Sequence, residues 1–490
     1  MESGRDQTAA LLDRSGGDRN EEDQEVAGLA KRSWIESKKL WQIVGPAIFS
    51  RVAIYSMNVI TQAFAGHLGD LELASISIAN TVIVGFNFGL MLGMASAMET
   101  LCGQAYGARK LHMLGIYLQR SWIVLFLCAV LLLPMYLFAT QVLLLTGQTP
   151  ELAAQAGAVS LWFIPIHFCF VFFFPLVRFL QCQLKNNVNA AFSFAALFVH
   201  VFITWLFVSR LKFGLVGTAL TLSFSWWAAA AMQFAYVVGG GCPDTWKASL
   251  SKPSLASGTS RSSPPPPASC SGPFTLLENW YYRILILLTG NLKNAKIAVD
   301  AISICMNING WEMMIPLGFF AGTGVRVANE LGAGNGRAAK FATIVSVTTS
   351  SVIGLFFWVL IMSLHDKFAL IFTSSPIVIE AVDKLSVILA VTILLNSIQP
   401  VLSGVAVGSG WQATAAYVNI GSYYLIGIPL GVFMGWVFDL GVQGIWAGMI
   451  GGTVVQTLIL AFITIRCDWE KEVLLANSRM KEHGSSSRKP

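Results

Sequence analysis

Long apolar segments recur along this chain and constrain its fold more than any other feature. Each is about 20 residues long, enough for an α-helix to cross the hydrocarbon core of a bilayer. Only 12% of the 490 residues are charged and 55% are hydrophobic, whereas soluble domains average about 25% charged residues. The sequence therefore predicts an all-α polytopic membrane protein. We place twelve transmembrane helices at residues 41–64, 74–98, 115–140, 157–180, 190–208, 214–238, 276–290, 297–322, 341–364, 380–407, 413–436 and 442–466.

The basic residues indicate how these helices are oriented. Seven Lys and Arg residues precede the first span and six follow from Arg466 onward, and most of the others lie in alternate loops. Cytoplasmic loops carry such an excess. We therefore expect both termini and the even-numbered loops to be cytosolic, and we read the net charge of +6 as an orientation signal, with no nucleic-acid partner.

The second half of the chain repeats the first. Residues 104–108 (QAYGA) align with residues 329–333 (NELGA) at an offset of 225, and Gly214 aligns with Gly441 at an offset of 227. Parallel repeats of this kind build transporters from two lobes, with a central cavity between them. The predicted organisation is a disordered cytosolic tail (1–40), an N-lobe with spans 1–6 (41–238), a linker (239–275), a C-lobe with spans 7–12 (276–466) and a cytosolic C-terminal tail (467–490).

The linker contains an unusual block. Residues 248–275 are rich in Ser and Pro, including four consecutive prolines, and the seventh span then keeps only about 15 apolar residues. A helix needs about 17–25 to cross a bilayer. Two interpretations remain open: a genuine variant, which in the extreme is inactive in transport, or a gene-model error.

The seventh span opens with an acid next to three aromatic rings, in the string LENWYY at 277–282. A charge near the bilayer interior is costly and usually faces a cavity or a partner. A carboxyl group in a low-dielectric cavity holds its proton more tightly. We therefore predict that Glu278 exchanges a proton, and that its deprotonation makes the cavity negative and attractive to a cationic or polar solute. The alternative is a structural acid paired with Arg283.

Other polar and aromatic residues of the spans are candidates for the same site. Glu312 is a second intramembrane acid and the reserve proton carrier. Glu99 is interpreted mainly as a helix-end acid paired with a base at the cytosolic surface. Aromatic residues also serve as interface anchors, so each ring has that alternative. The candidate solute-binding residues are Asn279, Trp280, Tyr281, Tyr282, Asn307, Asn309, Trp311 and Asn396.

Several strings resemble one family. GMASAMETLCGQAYGA (93–108), LENWYY (277–282), VRVANELGAGN (325–335) and QPVLSGVAVGSGWQ (399–412) are similar to motifs of plant multidrug and toxic compound extrusion (MATE) transporters, most of all the vacuolar and flavonoid branch. The resemblance implies twelve helices in two six-helix lobes and proton antiport, with the seventh-helix acid at Glu278. Many plant members have an aspartate in the tenth helix, where this chain has Asn396, which cannot carry a proton and at best forms hydrogen bonds.

The expected function is therefore export of organic solutes, such as xenobiotics, flavonoid-type metabolites or organic cations, from the cytosol by proton antiport. We expect a monomer in the lipid bilayer, in the vacuolar membrane rather than the plasma membrane, without cofactor or metal. A lipid-linked glycan flippase of similar doubled architecture is the nearest alternative, but the spans hold few basic groups. An enzyme is disfavoured because the sequence has neither an HExxH motif nor a His/Cys ligand set.

Overall fold

The computed structural model describes residues 3–246, 281, 295–365, 367–371 and 375–485. Within these ranges the chain is helical, and nine helices are long and apolar enough to cross a membrane. All predicted spans except the seventh coincide with described helices. The seventh lies outside the described residues apart from Tyr281.

The first half of the chain forms the N-lobe, whose core includes Tyr136, Phe170 and Trp226. The predicted fourth span is divided at Phe163, because Pro165 has no N–H to donate to the Leu161 carbonyl oxygen and its ring clashes with that preceding turn. The N-lobe helices are α1 (Ser3–Gly66), α2 (Asp70–Ile78), α3 (Gly85–Gly107), α4 (His112–Leu132), α5 (Pro134–Leu137), α6 (Ala139–Leu145), α7 (Pro150–Trp162), α8 (Ile164–Cys182), α9 (Asn186–Thr204) and α10 (Gly214–Tyr236), with π-helical segments at Ala79–Val84, Trp205–Arg210 and Val237–Gly241.

The second half forms the C-lobe around a separate core that includes Tyr281, Tyr423 and Trp446. The eighth predicted span is divided at Met313, three residues before Pro316, since a proline clashes with the preceding helical turn. The C-lobe helices are α11 (Ala295–Glu312), α12 (Met314–Gly332), α13 (Gly336–Ser363), α14 (Pro376–Ser409), α15 (Gln412–Ile420), α16 (Ile428–Val432), α17 (Gly441–Ile465) and α18 (Trp469–Ser485), with π-helical segments at Gly421–Gly427 and Phe433–Val437 and a 3-10 turn at Phe368–Ile371.

The N-terminal segment differs from the expected disordered tail, because α1 already begins at Ser3. Its composition, with many Asp, Glu, Arg and Gly residues, favours disorder, but Glu, Arg, Leu and Ala are also good helix formers. Its last turns are also fixed by tertiary contacts. Glu36 forms an ion pair with Arg326 (2.6 Å), and Leu40 packs with Phe319 of α12.

The internal repeat is visible in the backbone as well as in the sequence. Few of the described residues have positive φ. Most of these occur in pairs that are 225 to 227 residues apart, as in the sequence repeat. Glycine favours this region, whereas other residues adopt it at a cost, so its recurrence marks equivalent turns in the two lobes. The pairs are Arg109 and Gly334, Leu184 and Gly410, Lys212 and Asp439, and Gly214 and Gly441.

The aligned strings QAYGA and NELGA end α3 and α12, and these two helices cross each other where the lobes meet. A Cβ atom at Gly107 would overlap the carbonyl oxygen of Asn329, and a Cβ at Gly332 would overlap that of Gln104. Gly107 matches Gly332 in the repeat, and Gln104 matches Asn329. The contact is therefore reciprocal, as a two-fold axis between the lobes requires. We call this crossing the glycine seam.

Candidate functional site

One stripe of α1 faces the C-lobe. Val44 lies against Gly322, and Ile48 lies against Gly318. Two turns further along, the Tyr55 ring packs edge-on against Trp311 at 5.1 Å between ring centroids. Residues 44, 48, 51 and 55 share one helix face, because residues three and four apart are neighbours on a helix. The lobes are therefore in close contact on the predicted cytosolic side, and an aromatic pair joins them further along α1. We call the predicted space between the lobes the cleft.

Helix α11 presents its predicted site residues on two different faces. Asn307 and Trp311 are four residues apart and both are exposed. Since Trp311 touches Tyr55 of the N-lobe, this face borders the cleft. Asn309 and Glu312 are three residues apart and both are buried. The structure thus divides the candidates into residues of the cleft and residues of the C-lobe interior.

A polar contact joins α11 to α14 inside the C-lobe. The Asn396 Nδ2 donates a hydrogen bond to Asn309 Oδ1 at 3.1 Å, and both side chains are buried. The solute-binding role predicted for Asn396 and Asn309 stays a prediction. Two residues that are far apart in the sequence are brought together here.

Tyr281 lies beside the same group of residues. Its hydroxyl donates to the Met449 carbonyl oxygen, and its ring stacks on Tyr423 with centroids 4.2 Å apart. Tyr281 and Asn396 both line a cavity of about 10 Å³ whose wall also contains Thr392. The wall is mostly apolar, and the volume is at the lower limit for a single water molecule. The C-lobe interior is therefore closely packed around its buried amides.

Glu312 is the acid of this interior. It is 6% exposed, and neither carboxylate oxygen has a hydrogen-bond partner among the residues described. Groups like this are uncommon, because an ionised carboxylate without partners in an apolar environment costs several kcal/mol. The site therefore favours a carboxyl group that carries its proton while it is buried.

Four of the predicted site residues cannot be placed. Glu278, Asn279, Trp280 and Tyr282 lie outside the described residues, and so does Arg283, the alternative partner of Glu278. Their assignment remains a prediction. Among the described ranges, no group of three or more His, Cys, Asp or Glu side chains could hold a metal ion.

The structure adds an ion cluster in the N-lobe. Arg178 of α8 lies 2.7 Å from the carboxylate of Glu99 on α3, and both side chains are buried, at 4% and 0% exposed. Glu99 does pair with a base, as expected, but inside the protein and not at the surface. Arg51 of α1 interacts electrostatically with both residues. The sequence gives no spacing that would link residues on three separate helices.

A second N-lobe group centres on His200. Its Nε2 lies 3.1 Å from Thr61 Oγ1 of α1, and its Nδ1 lies 2.9 Å from Ser225 Oγ of α10. Both ring nitrogens thus have hydroxyl partners. Because these bonds satisfy the histidine, we assign it to packing of α1, α9 and α10.

The comparisons with known proteins agree with this architecture. A model of the family described as MatE matches residues 46–206 and 274–433, one copy in each lobe. Protein DETOXIFICATION 27 of Arabidopsis thaliana is 65% identical over 463 residues, 94% of both chains. Protein DETOXIFICATION 26 of the same plant is 59% identical over 462 residues, 94% of this chain and 93% of the relative.

Solved structures give the same result. The crystal structure of the eukaryotic MATE transporter AtDTX14 superposes with a TM-score of 0.82 at 31% identity, covering 91% of this chain and 99% of that chain. The Vibrio cholerae transporter VcmN shares the fold, with a TM-score of 0.77 at 15% identity over 89% of this chain and 99% of that chain. The chain is thus a multi-pass integral membrane protein with two lobes, and it belongs to the MatE family of multidrug and toxic compound extrusion transporters.

Proposed function

We propose that this chain is a proton antiporter that exports organic solutes from the cytosol into the vacuole, and that C-lobe carboxyl groups carry the coupling proton. The observation that supports this most strongly is Glu312, a buried acid without a partner among the described residues. Glu278 remains the second proposed carrier on the basis of the sequence. The vacuolar destination rests on resemblance to the flavonoid branch.

Antiport requires that the proton and the solute exclude each other. Glu312 follows directly after Trp311, which lines the cleft, so a movement of α11 changes both positions together. When the cleft is closed, burial favours the protonated carboxyl group. When water reaches the site, the carboxylate is solvated and the proton leaves. Solute binding that moves α11 would thereby release the proton.

The cleft supplies aromatic and amide surfaces for the solute. Tyr55 and Trp311 provide rings from opposite lobes, and the exposed Asn307 lies one turn from Trp311 on the same face. Ligand sites generally combine apolar or aromatic walls with a few polar groups. A planar aromatic solute such as a flavonoid fits this lining.

The test measures whether solute binding releases protons. Purified protein in a weakly buffered detergent solution is mixed with a flavonoid glycoside, and the pH change is recorded with an indicator dye. We expect release of about one proton per bound solute at a pH where the carboxyl is protonated. The Glu312→Gln variant should bind the solute and release fewer protons, because an amide carries no exchangeable proton in this range.

Glu380→Gln is the matched control. Glu380 lies on the C-lobe surface, and its ion pair with Lys384 is 2.8 Å long but largely exposed, so its removal should leave proton release unchanged. Solute binding without proton release by the unmodified protein would refute the antiport proposal. Normal release by both Glu312→Gln and Glu278→Gln would refute the assignment to these carboxyl groups.

A further inference from the structure

The α1 stripe that faces the C-lobe contains one charged residue. Arg51 lies between Ile48, which contacts Gly318, and Tyr55, which contacts Trp311. It therefore lies on the face of α1 that meets the C-lobe, between two contacts that hold the lobes together toward the predicted cytosolic side. Arg51 is neither fully buried nor fully exposed, and it lies on the same face of α1 as Ile48 and Tyr55.

The charges around this position do not balance. Arg51 and Arg178 each carry a positive charge, and Glu99 is the acid with which both interact. Glu99 is already held in an ion pair by Arg178. Arg51 has neither a hydrogen bond nor an ion pair with any residue that the structure describes. Among the described residues, one positive charge is therefore left over, and it belongs to Arg51.

A partnerless guanidinium in a transmembrane helix is expensive and usually marks a ligand site. Its five donors form a rigid fork that matches a carboxylate in bidentate geometry. A second arginine behind it raises the local positive potential further, and the low-dielectric surroundings strengthen attraction to an anion. The chemistry of this position thus selects a negatively charged oxygen group.

We propose that Arg51 binds the anionic group of the transported solute, and that the site prefers aromatic solutes bearing one carboxylate over neutral analogues. The carboxylate would lie on Arg51, and the aromatic part would lie against Tyr55 and Trp311, one turn away. The inference rests on the proposed solute site in the cleft, and it narrows the solute class. It differs from the expectation of a negative cavity for cations, because the N-lobe side of the cleft is positive.

The test compares two probes that differ in one group. 4-Methylumbelliferyl glucuronide carries a carboxylate where 4-methylumbelliferyl glucoside has a neutral hydroxymethyl group. Binding of each to the purified full-length protein is measured by equilibrium dialysis at pH 7.5. A charge-assisted hydrogen bond contributes enough for about a tenfold difference in Kd, so we expect the unmodified protein to bind the glucuronide about tenfold more tightly.

Variants assign the preference to Arg51. Arg51→Gln should bind both probes equally, while Arg51→Lys should keep part of the preference, since it retains the charge and loses the fork. Arg210→Gln is the control, because Arg210 is exposed and stacks on Trp205, outside the cleft. Its ratio should equal that of the unmodified protein.

Each outcome is decisive. Equal affinity of the unmodified protein for the two probes, or no binding of the glucuronide, overturns the inference without any variant. An unchanged ratio in Arg51→Gln also overturns it. Selective binding of the glucuronide together with uptake that ignores a pH gradient would support the anion site and refute proton coupling. Gradient-driven uptake of both probes, with equal affinity for the two, would support proton coupling and refute the anion site.

Discussion

The glycine seam allows a quantitative prediction about how the lobes separate. At Gly107 and Gly332, an added Cβ would overlap a backbone carbonyl oxygen of the other lobe. A flexible side chain can move away from such an overlap, whereas backbone cannot move without shifting its helix. Replacing either glycine by alanine should therefore destabilise the contact between α3 and α12.

The magnitude follows from the cost of overpacking. Inserting a methyl group into a tightly packed contact costs about 1–3 kcal/mol. The gain of about 1 kcal/mol in helix propensity from Gly to Ala applies whether the lobes touch or separate, so it cancels in the equilibrium between these states. A change of about 1–3 kcal/mol shifts such an equilibrium about 5–150-fold toward separated lobes.

Thiol labelling measures this shift. Val407 lies on α14, next to the glycine seam. Its carbonyl oxygen accepts a hydrogen bond from Thr100 of α3, and the residue is 8% exposed. A Val407→Cys reporter in an otherwise cysteine-free chain keeps the backbone bond. Its labelling rate by a membrane-impermeant maleimide from the cytosolic side should rise about 5–150-fold in Gly107→Ala and in Gly332→Ala.

The control is Gly45→Ala. A Cβ at Gly45 would meet only Trp41, at 3.9 Å, so this substitution should leave the labelling rate unchanged. Because the seam is reciprocal, the two seam variants should have similar effects. Labelling rates equal to that of the parent in both would show that the seam does not control lobe separation.

Three further predictions concern single residues. Glu99→Gln leaves Arg178 buried without its counter-charge and should lower the free energy of unfolding by about 3–5 kcal/mol, seen as a large fall in Tm in detergent. Glu380→Gln, at an exposed pair, should lower it by at most about 1 kcal/mol. Equal losses of stability in the two variants would contradict the burial argument. Asn396→Asp restores a titratable group in the C-lobe interior, and the pH profile of uptake should gain a second inflection; an unchanged profile would show that this position is isolated from the solute. Burial and two neighbouring carboxylates raise the pKa of the Cys467 thiol to about 12. In a variant with Cys467 as the sole cysteine, the thiol should therefore react with iodoacetamide at pH 8 more than tenfold more slowly than free cysteine. Equal reaction rates would contradict this.

Much of the fold can be predicted from the sequence, because the bilayer imposes a length and a composition on each helix. The repeat could also be detected, since glycines recur at equivalent positions where backbones touch and at one turn with positive φ. Gly214 and Gly441 are such residues. The N-terminal helix could not be predicted, because its stability depends on contacts such as Glu36 with Arg326, which join distant parts of the chain.

The candidate site was predicted only in part. Asn309 and Asn396 were both proposed from the sequence, but the hydrogen bond between them depends on how α11 packs on α14. The cluster of Arg51, Glu99 and Arg178 could not be read from the sequence, because charges on three helices meet only through tertiary packing. An arginine in the first span was visible, yet its lack of a partner is a property of the structure.

Uptake into vesicles tests the central claim most directly. Vesicles containing the full chain are given an acidic interior, and uptake of a labelled flavonoid glycoside is measured before and after addition of a protonophore. We predict uptake that requires the gradient, stops with the protonophore and is lost in Glu312→Gln but not in Glu380→Gln. Uptake that continues unchanged after the gradient collapses would contradict proton antiport.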